Sequence, residues 1–143
     1  MNLTSDSVGE HALRIPVGGV TLDADLHLPT AATGLVLFAH GSGSSRFSPR
    51  NRRVAKRLNS AALATVLANL LTRDEETVDA STGEHRFDIG LLTERLIGVA
   101  DWLRVQPPTA ELTMGCFGAS TGAAAVPTWP APRFCARSAP RPC

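Results

Sequence analysis

The feature that most limits what this chain can become is the passage Glu111–Phe117 running into Gly118-Ala119-Ser120-Thr121-Gly122. A short apolar strand is followed at once by Gly-x-Ser-x-Gly and then by Ala123-Ala124-Ala125, the start of a helix. A turn this sharp holds its middle residue in a strained backbone conformation, with the Ser120 hydroxyl standing clear of the sheet. The flanking glycines are needed because a Cβ at either position strikes the neighbouring strand or helix.

A second strand-to-loop junction lies upstream. Gly34–Ala39 is an uninterrupted apolar run, the pattern of a strand buried on both faces. It ends in His40-Gly41-Ser42-Gly43-Ser44-Ser45. Glycines let the backbone of such a loop approach a substrate, so that fixed N–H groups can hold the charge developing on a carbonyl oxygen during acyl transfer. A phosphate cradle is the competing reading. The loop lacks both a Gly-Lys-Ser/Thr ending and the Gly-x-Gly-x-x-Gly spacing. His40 reads as a histidine that shapes the loop rather than as a base.

Between and around these junctions the pattern alternates strand and helix. Ala12–Val17 and Val20–Leu28 are separated by Gly18-Gly19, a hairpin signal. In the second strand Leu22, Ala24, Leu26 and Leu28 alternate with Asp23, Asp25 and His27, which assigns the latter three to a solvated face. Ser48-Pro49 opens a helix to about Ser60. Ala64–Leu71 is the next buried strand, Thr72–Arg86 a polar loop, and Phe87–Val105 an amphipathic helix on Leu92, Leu96, Val99 and Leu103. Alternation of this kind builds a parallel sheet with ligands beyond the carboxyl ends of the strands, where both glycine-rich junctions fall.

This order of elements, with His-Gly-x-Gly after one strand and Gly-x-Ser-x-Gly after a later one, resembles the α/β-hydrolase superfamily. The loop His40–Ser45 with Arg46-Phe47-Ser48-Pro49-Arg50-Asn51 looks most like its dienelactone-hydrolase-related branch. The likeness runs from about Leu13 to Ala125. It implies a doubly wound, mostly parallel sheet, a Ser120 nucleophile, an oxyanion hole from Ser42 and Thr121, and water as final acceptor. Members named for dienelactone hydrolysis typically use cysteine as nucleophile, where this chain has Ser120. The substrate-binding positions expected for a small acyl substrate are His40, Gly41, Gly43 and Arg46, where Arg46 pointing toward an anionic substrate group is the lesser alternative to a place on a solvated helix face.

Composition adds bounds. The 143 residues are enough for one core, and a net charge of +1 argues against a dedicated polyanion binder. Arg46, Arg50, Arg52, Arg53, Lys56 and Arg57 read as the solvated face of a helix whose inner stripe is Val54, Leu58 and Ala61, so no nucleic-acid partner is expected. Cys116, Cys135 and Cys143 form no metal spacing, and Asp74, Glu75, Glu76, Asp79, Glu84 and His85 read as an exposed turn; no metal and no cofactor is expected. Met1–Ser7 carries no secretory pattern and Ala61–Leu71 is too short to span a bilayer, which sets a cytoplasmic expectation without a membrane partner.

The expected organisation is a flexible N-terminus over 1–11, the N-terminal part of an α/β-hydrolase domain over 12–125, and a Pro/Ala/Arg-rich disordered tail over 126–143. In the resembling family the acid and then the histidine of the triad follow the nucleophile. After Ser120 this chain has no Asp, Glu or His, and His11, His27, His40 and His85 all precede it. Pro127, Pro130 and Pro132 also cut short the helix after the elbow. The abrupt change of composition suggests out-of-frame translation after a frameshift near Ala125. Two functions follow: a serine hydrolase of esters, lactones or related acyl compounds, or an inactive fragment that retains part of the fold. A sheet lacking its later strands is expected to self-associate through the exposed edge.

Overall fold

The structure, a computed structural model, describes residues 3–4, 7–39, 46–85 and 88–118. Strands β1 (Gly9–Val17) and β2 (Val20–Leu28) form the expected hairpin. Gly18 and Gly19 turn it at φ of 53° and 82°, a pair of positive values that side-chain-bearing residues resist. β1 takes in Gly9–His11, and Leu3 is buried, its N–H donating to Gln106 Oε1 at 3.3 Å. Ordered structure therefore reaches into the stretch expected to be a flexible terminus.

β3 (Gly34–Ala39) is followed by helix α1 (Pro49–Ser60), whose first turn is closed by Ser48 Oγ accepting from the Asn51 N–H. β4 (Leu63–Ala68) stops three residues before the expected end, although burial continues through Leu71. The polar stretch expected to be a loop is a helix, α2 (Arg73–Thr82). A capping box closes its start: Thr72 Oγ1 accepts from the Glu75 N–H, and the Glu75 carboxylate accepts from the Thr72 N–H. Gly83, left-handed at φ 68°, closes its end. Helix α3 (Ile89–Arg104) and strand β5 (Thr113–Gly118) complete the elements.

The five strands lie in the order β1-β2-β4-β3-β5, and β2 runs antiparallel to both β1 and β4. The β4–β3–β5 half is parallel. Side-chain alternation on β3 divides the core. Leu35, Leu37 and Ala39 join the cluster containing Leu92, Leu96, Val99 and Leu103 of α3, while Val36 and Phe38 pack with Val54, Ala55 and Leu58 of α1. Helices thus cover both faces, as a doubly wound sheet requires. Gly98 lets α3 close on β1: a Cβ there falls 2.3 Å from Val17 Cγ1. Among the described residues β5 pairs only with β3, and no helix is long and apolar enough to cross a membrane.

Candidate active site

The three parallel strands end level with one another. Ala39 of β3 is the register partner of Ala68 on β4 and of Gly118 on β5. Adjacent strands lie about 4.8 Å apart, so Ala39 and Gly118, the last residues of β3 and β5, lie side by side at one end of the sheet. Phe38 and Phe117, one residue earlier on each strand, stack with ring centroids 5.1 Å apart and fix that register from the α1 side. Of the expected site residues, His40, Gly41, Ser42, Gly43, Ser120 and Thr121 lie outside the described residues; Arg46 lies within them.

Arg46 sits where the chain returns from the loop. Its guanidinium faces two carboxylates of β2, with Nη1 3.6 Å from Asp23 Oδ2 and Nε 3.4 Å from Asp25 Oδ1. It also lies over the Phe47 ring, 4.3 Å from the centroid. Its side chain is only 16% exposed. Arg52 adds a charge-assisted bond to Asp25 Oδ2 at 2.9 Å and donates through Nε to the Arg46 carbonyl at 3.1 Å. Arg73 approaches Asp23 at 3.5 Å.

These contacts correct two expectations. The Asp23 and Asp25 face of β2 is covered by arginines rather than simply solvated. In turn, the basic run contributes Arg46 and Arg52 to ion pairs, leaving Arg50, Arg53, Lys56 and Arg57 exposed. His27 is half-buried in a cleft of about 290 Å³ between the hairpin and α1, with Nδ1 3.5 Å from Glu10.

Asn69, the residue after β4, had no role in the sequence reading. In the structure it is buried, donates its N–H to the Asp23 carbonyl at 2.9 Å, and accepts the Arg46 N–H on Oδ1 at 2.8 Å. A polar residue closing a buried strand at its carboxyl end was the available signal. Nearby, burial raises the Glu76 carboxyl above its ordinary pKa, and the Asp23 charge adds to the rise, while Arg46 and Arg73 oppose it.

Of the acids expected to form an exposed turn, Asp74, Glu75, Glu76 and Asp79 belong to α2, and Glu84 follows its Gly83 cap. Glu75 is locked to Arg95 of α3 by two bonds, Nη2 to Oε1 at 2.6 Å and Nη1 to Oε2, and Asp79 accepts the His85 N–H at 2.8 Å. Arg95 holds the Glu75 carboxyl down at about 2, against the desolvation that opposes it. Among the described residues no three His, Cys, Asp or Glu side chains group as metal ligands. Cys116, four residues before Ser120, packs against the α3-side core, and burial pushes its thiol up to about 12 although Arg104 pulls the other way.

No protein-family model matches the chain. A dienelactone hydrolase from Anabaena variabilis superposes with a TM-score of 0.80 at 56% identity, over 82% of this chain and 54% of that one. The chain belongs to the α/β-hydrolase superfamily, on its dienelactone-hydrolase-like branch. An α/β serine hydrolase without a lid from Xanthomonas campestris shares the fold, with a TM-score of 0.62 at 24% identity over 82% of this chain and 53% of its own.

A curated relative, present in two strains of Mycobacterium tuberculosis and provisionally named a phosphoribosyl transferase, is 49% identical over 116 residues. That match covers 81% of this chain and 25% of the relative. The chain thus spans about half the length of the Anabaena enzyme and a quarter of the mycobacterial protein.

Proposed function

We propose that this chain supplies the nucleophile and oxyanion donors of a serine hydrolase acting on an ester, lactone or related acyl substrate. One observation carries the reading. The parallel pair β3–β5 ends in register at Ala39 and Gly118, and the sequence continues from those two residues into the glycine-rich loop and into the serine elbow. Two segments that acyl transfer needs within a few ångströms of each other therefore start from neighbouring strands.

In this reading Ser120 Oγ attacks the acyl carbon and its proton passes to a base. The carbonyl oxygen becomes an oxyanion held by the backbone N–H groups of Ser42 and Thr121. Collapse of the tetrahedral intermediate breaks the bond to the alkoxide, which leaves with a proton. Water then attacks the acyl-serine and regenerates the hydroxyl. Gly41 and Gly43 keep the loop free of side chains where the substrate passes, and His40 shapes the loop. Cys116 is unsuited to the nucleophile's part: a thiol raised to about 12 holds almost no thiolate at neutral pH.

The base is the open position. Residues 121–143 contain no His, Asp or Glu, so the acid and histidine that usually follow the nucleophile are not among them. The phosphoribosyl transferase name is not carried over, because it belongs to a protein of which this chain matches a quarter.

Fluorophosphonate labelling, read by peptide mass spectrometry with and without added imidazole as an external base, tests the proposal. The chain alone is expected to label negligibly. Imidazole should bring label onto Ser120 and leave Ser120→Ala blank. Label on another residue, or none at any imidazole concentration, overturns the reading.

A further inference from the structure

Residues 40–45 leave the sheet at Ala39 and return at Arg46, so whatever fixes these two roots limits where the segment between them can lie. Donors to an oxyanion tolerate only a few tenths of an ångström of error. We infer that Asn69 and Arg46, with Asp23 and Asp25, form a clamp that positions the 40–45 segment; this inference rests on the acyl-hydrolase reading of Ser42 and Thr121. Both roots of the segment are referenced to the end of β4. Ala39 pairs with Ala68, and the Arg46 N–H donates to the side chain of the next residue, Asn69. Asn69 is fixed in turn by its own N–H on the Asp23 carbonyl, and it is only 6% exposed.

The guanidinium completes the clamp. Asp23 and Asp25 engage it from β2, Phe47 lies beneath it, and the Arg46 carbonyl takes the Arg52 Nε–H. A substrate carboxylate reaching Arg46 has to compete with two protein carboxylates already in place. Arg46 is therefore a positioning residue that acts through the loop, not a substrate ligand. Asn69 acts in the same way through its side-chain oxygen. The other charged groups around the clamp, Arg73 and Glu76 of α2 and Arg14 of β1, face Asp23 or Arg46 from outside and complete its charge balance.

Hydrogen exchange of the full chain carrying Ser120→Ala, compared with Asn69 retained and with Asn69→Ala or Asn69→Asp added, reads the clamp directly. Losing the acceptor should speed exchange of the Arg46 amide by about five- to tenfold while the amides of α3 keep their rates. Asn69→Asp retains an oxygen for the Arg46 N–H and should restore protection. Unchanged exchange in Asn69→Ala, an equal rise across α3, or failure of Asn69→Asp to restore protection overturns the clamp. If Asn69→Ala does not fold, Asn69→Ser, which withdraws the acceptor by one carbon, makes the same comparison.

These measurements are made in a Ser120→Ala background, so they stand apart from the catalytic reading, which fails by absence of imidazole-assisted label. With Ser120 intact, that labelling should fall about tenfold in Asn69→Ala and recover in Asn69→Asp. Arg46→Met should slow neutral and anionic acyl probes alike; a loss confined to anionic probes makes Arg46 a substrate ligand and refutes its assignment here.

Discussion

Replacing Glu75 by glutamine probes the tie between α2 and α3. The Glu75 carboxyl moves from 4.5 to about 2 on folding, chiefly through its bonds to Arg95. At 1.36 kcal/mol per pKa unit this corresponds to roughly 3 kcal/mol. Little of it is screened, since the side chains are 22% and 9% exposed. The amide that replaces the carboxylate keeps the shape and an oxygen for the Thr72 N–H. It loses the negative charge and the second acceptor, leaving the Arg95 charge buried against neutral oxygens, that amide oxygen and the Leu70 carbonyl 3.0 Å away. We expect Glu75→Gln to cost about 2–3 kcal/mol at pH 7, a large part of a total stability of roughly 5–15 kcal/mol.

Urea unfolding followed by circular dichroism, in steps from pH 7 to pH 3, measures it. Because the folded pKa lies below the unfolded one, the contribution is complete above about pH 4.5 and is lost as pH falls towards about 2. The gap between wild type and variant should therefore narrow below pH 4.5. A gap under about 0.5 kcal/mol at pH 7, or one that stays constant to pH 3, refutes the assignment.

Two further outcomes are expected. Gly98→Ala, which in an exposed helix adds up to about 1 kcal/mol of stability, should instead cost about 1–3 kcal/mol because the new methyl meets Val17. Thermal melting should show a loss that Val17→Ala largely relieves, and a raised Tm for Gly98→Ala alone contradicts the packing. At pH 8, iodoacetamide should modify Cys116 at least about a hundredfold more slowly in the native chain than in urea, followed on its own peptide; equal rates contradict its burial.

The elements that periodicity encodes were legible in the sequence. β3, α1 and the four inward leucine and valine positions of α3 stand out by spacing, and the hairpin by its two glycines. α2 was not, because it has almost no apolar face: Val78 is 45% exposed, and the helix is held by its caps and by the Glu75–Arg95 pair. Its Thr72-x-x-Glu75 signature was present but was outweighed by the run of polar residues. Of the candidate site, the two glycine-rich junctions are local patterns and could be read directly, whereas their meeting depends on strand order. The role of Asn69 and the pairing of Arg46 with Asp23 and Asp25 join residues more than twenty positions apart, and no local pattern encodes such contacts.

The pairing of β3 with β5 also sets a timetable. β3 meets β4 after a single helix, but Gly34 must wait for Thr113 before its other edge is occupied. Closing so long an intervening loop is entropically costly and slow relative to local contacts. The strand leading to Ser120 therefore docks against a sheet whose other members can already be in place, and the carboxyl ends of β3 and β5 become neighbours only at that step. Until then a partly folded chain displays one half of the candidate site without the other. Imidazole-assisted labelling of Ser120 should accordingly emerge with the last sheet pairing and not with the earlier growth of helix content during refolding.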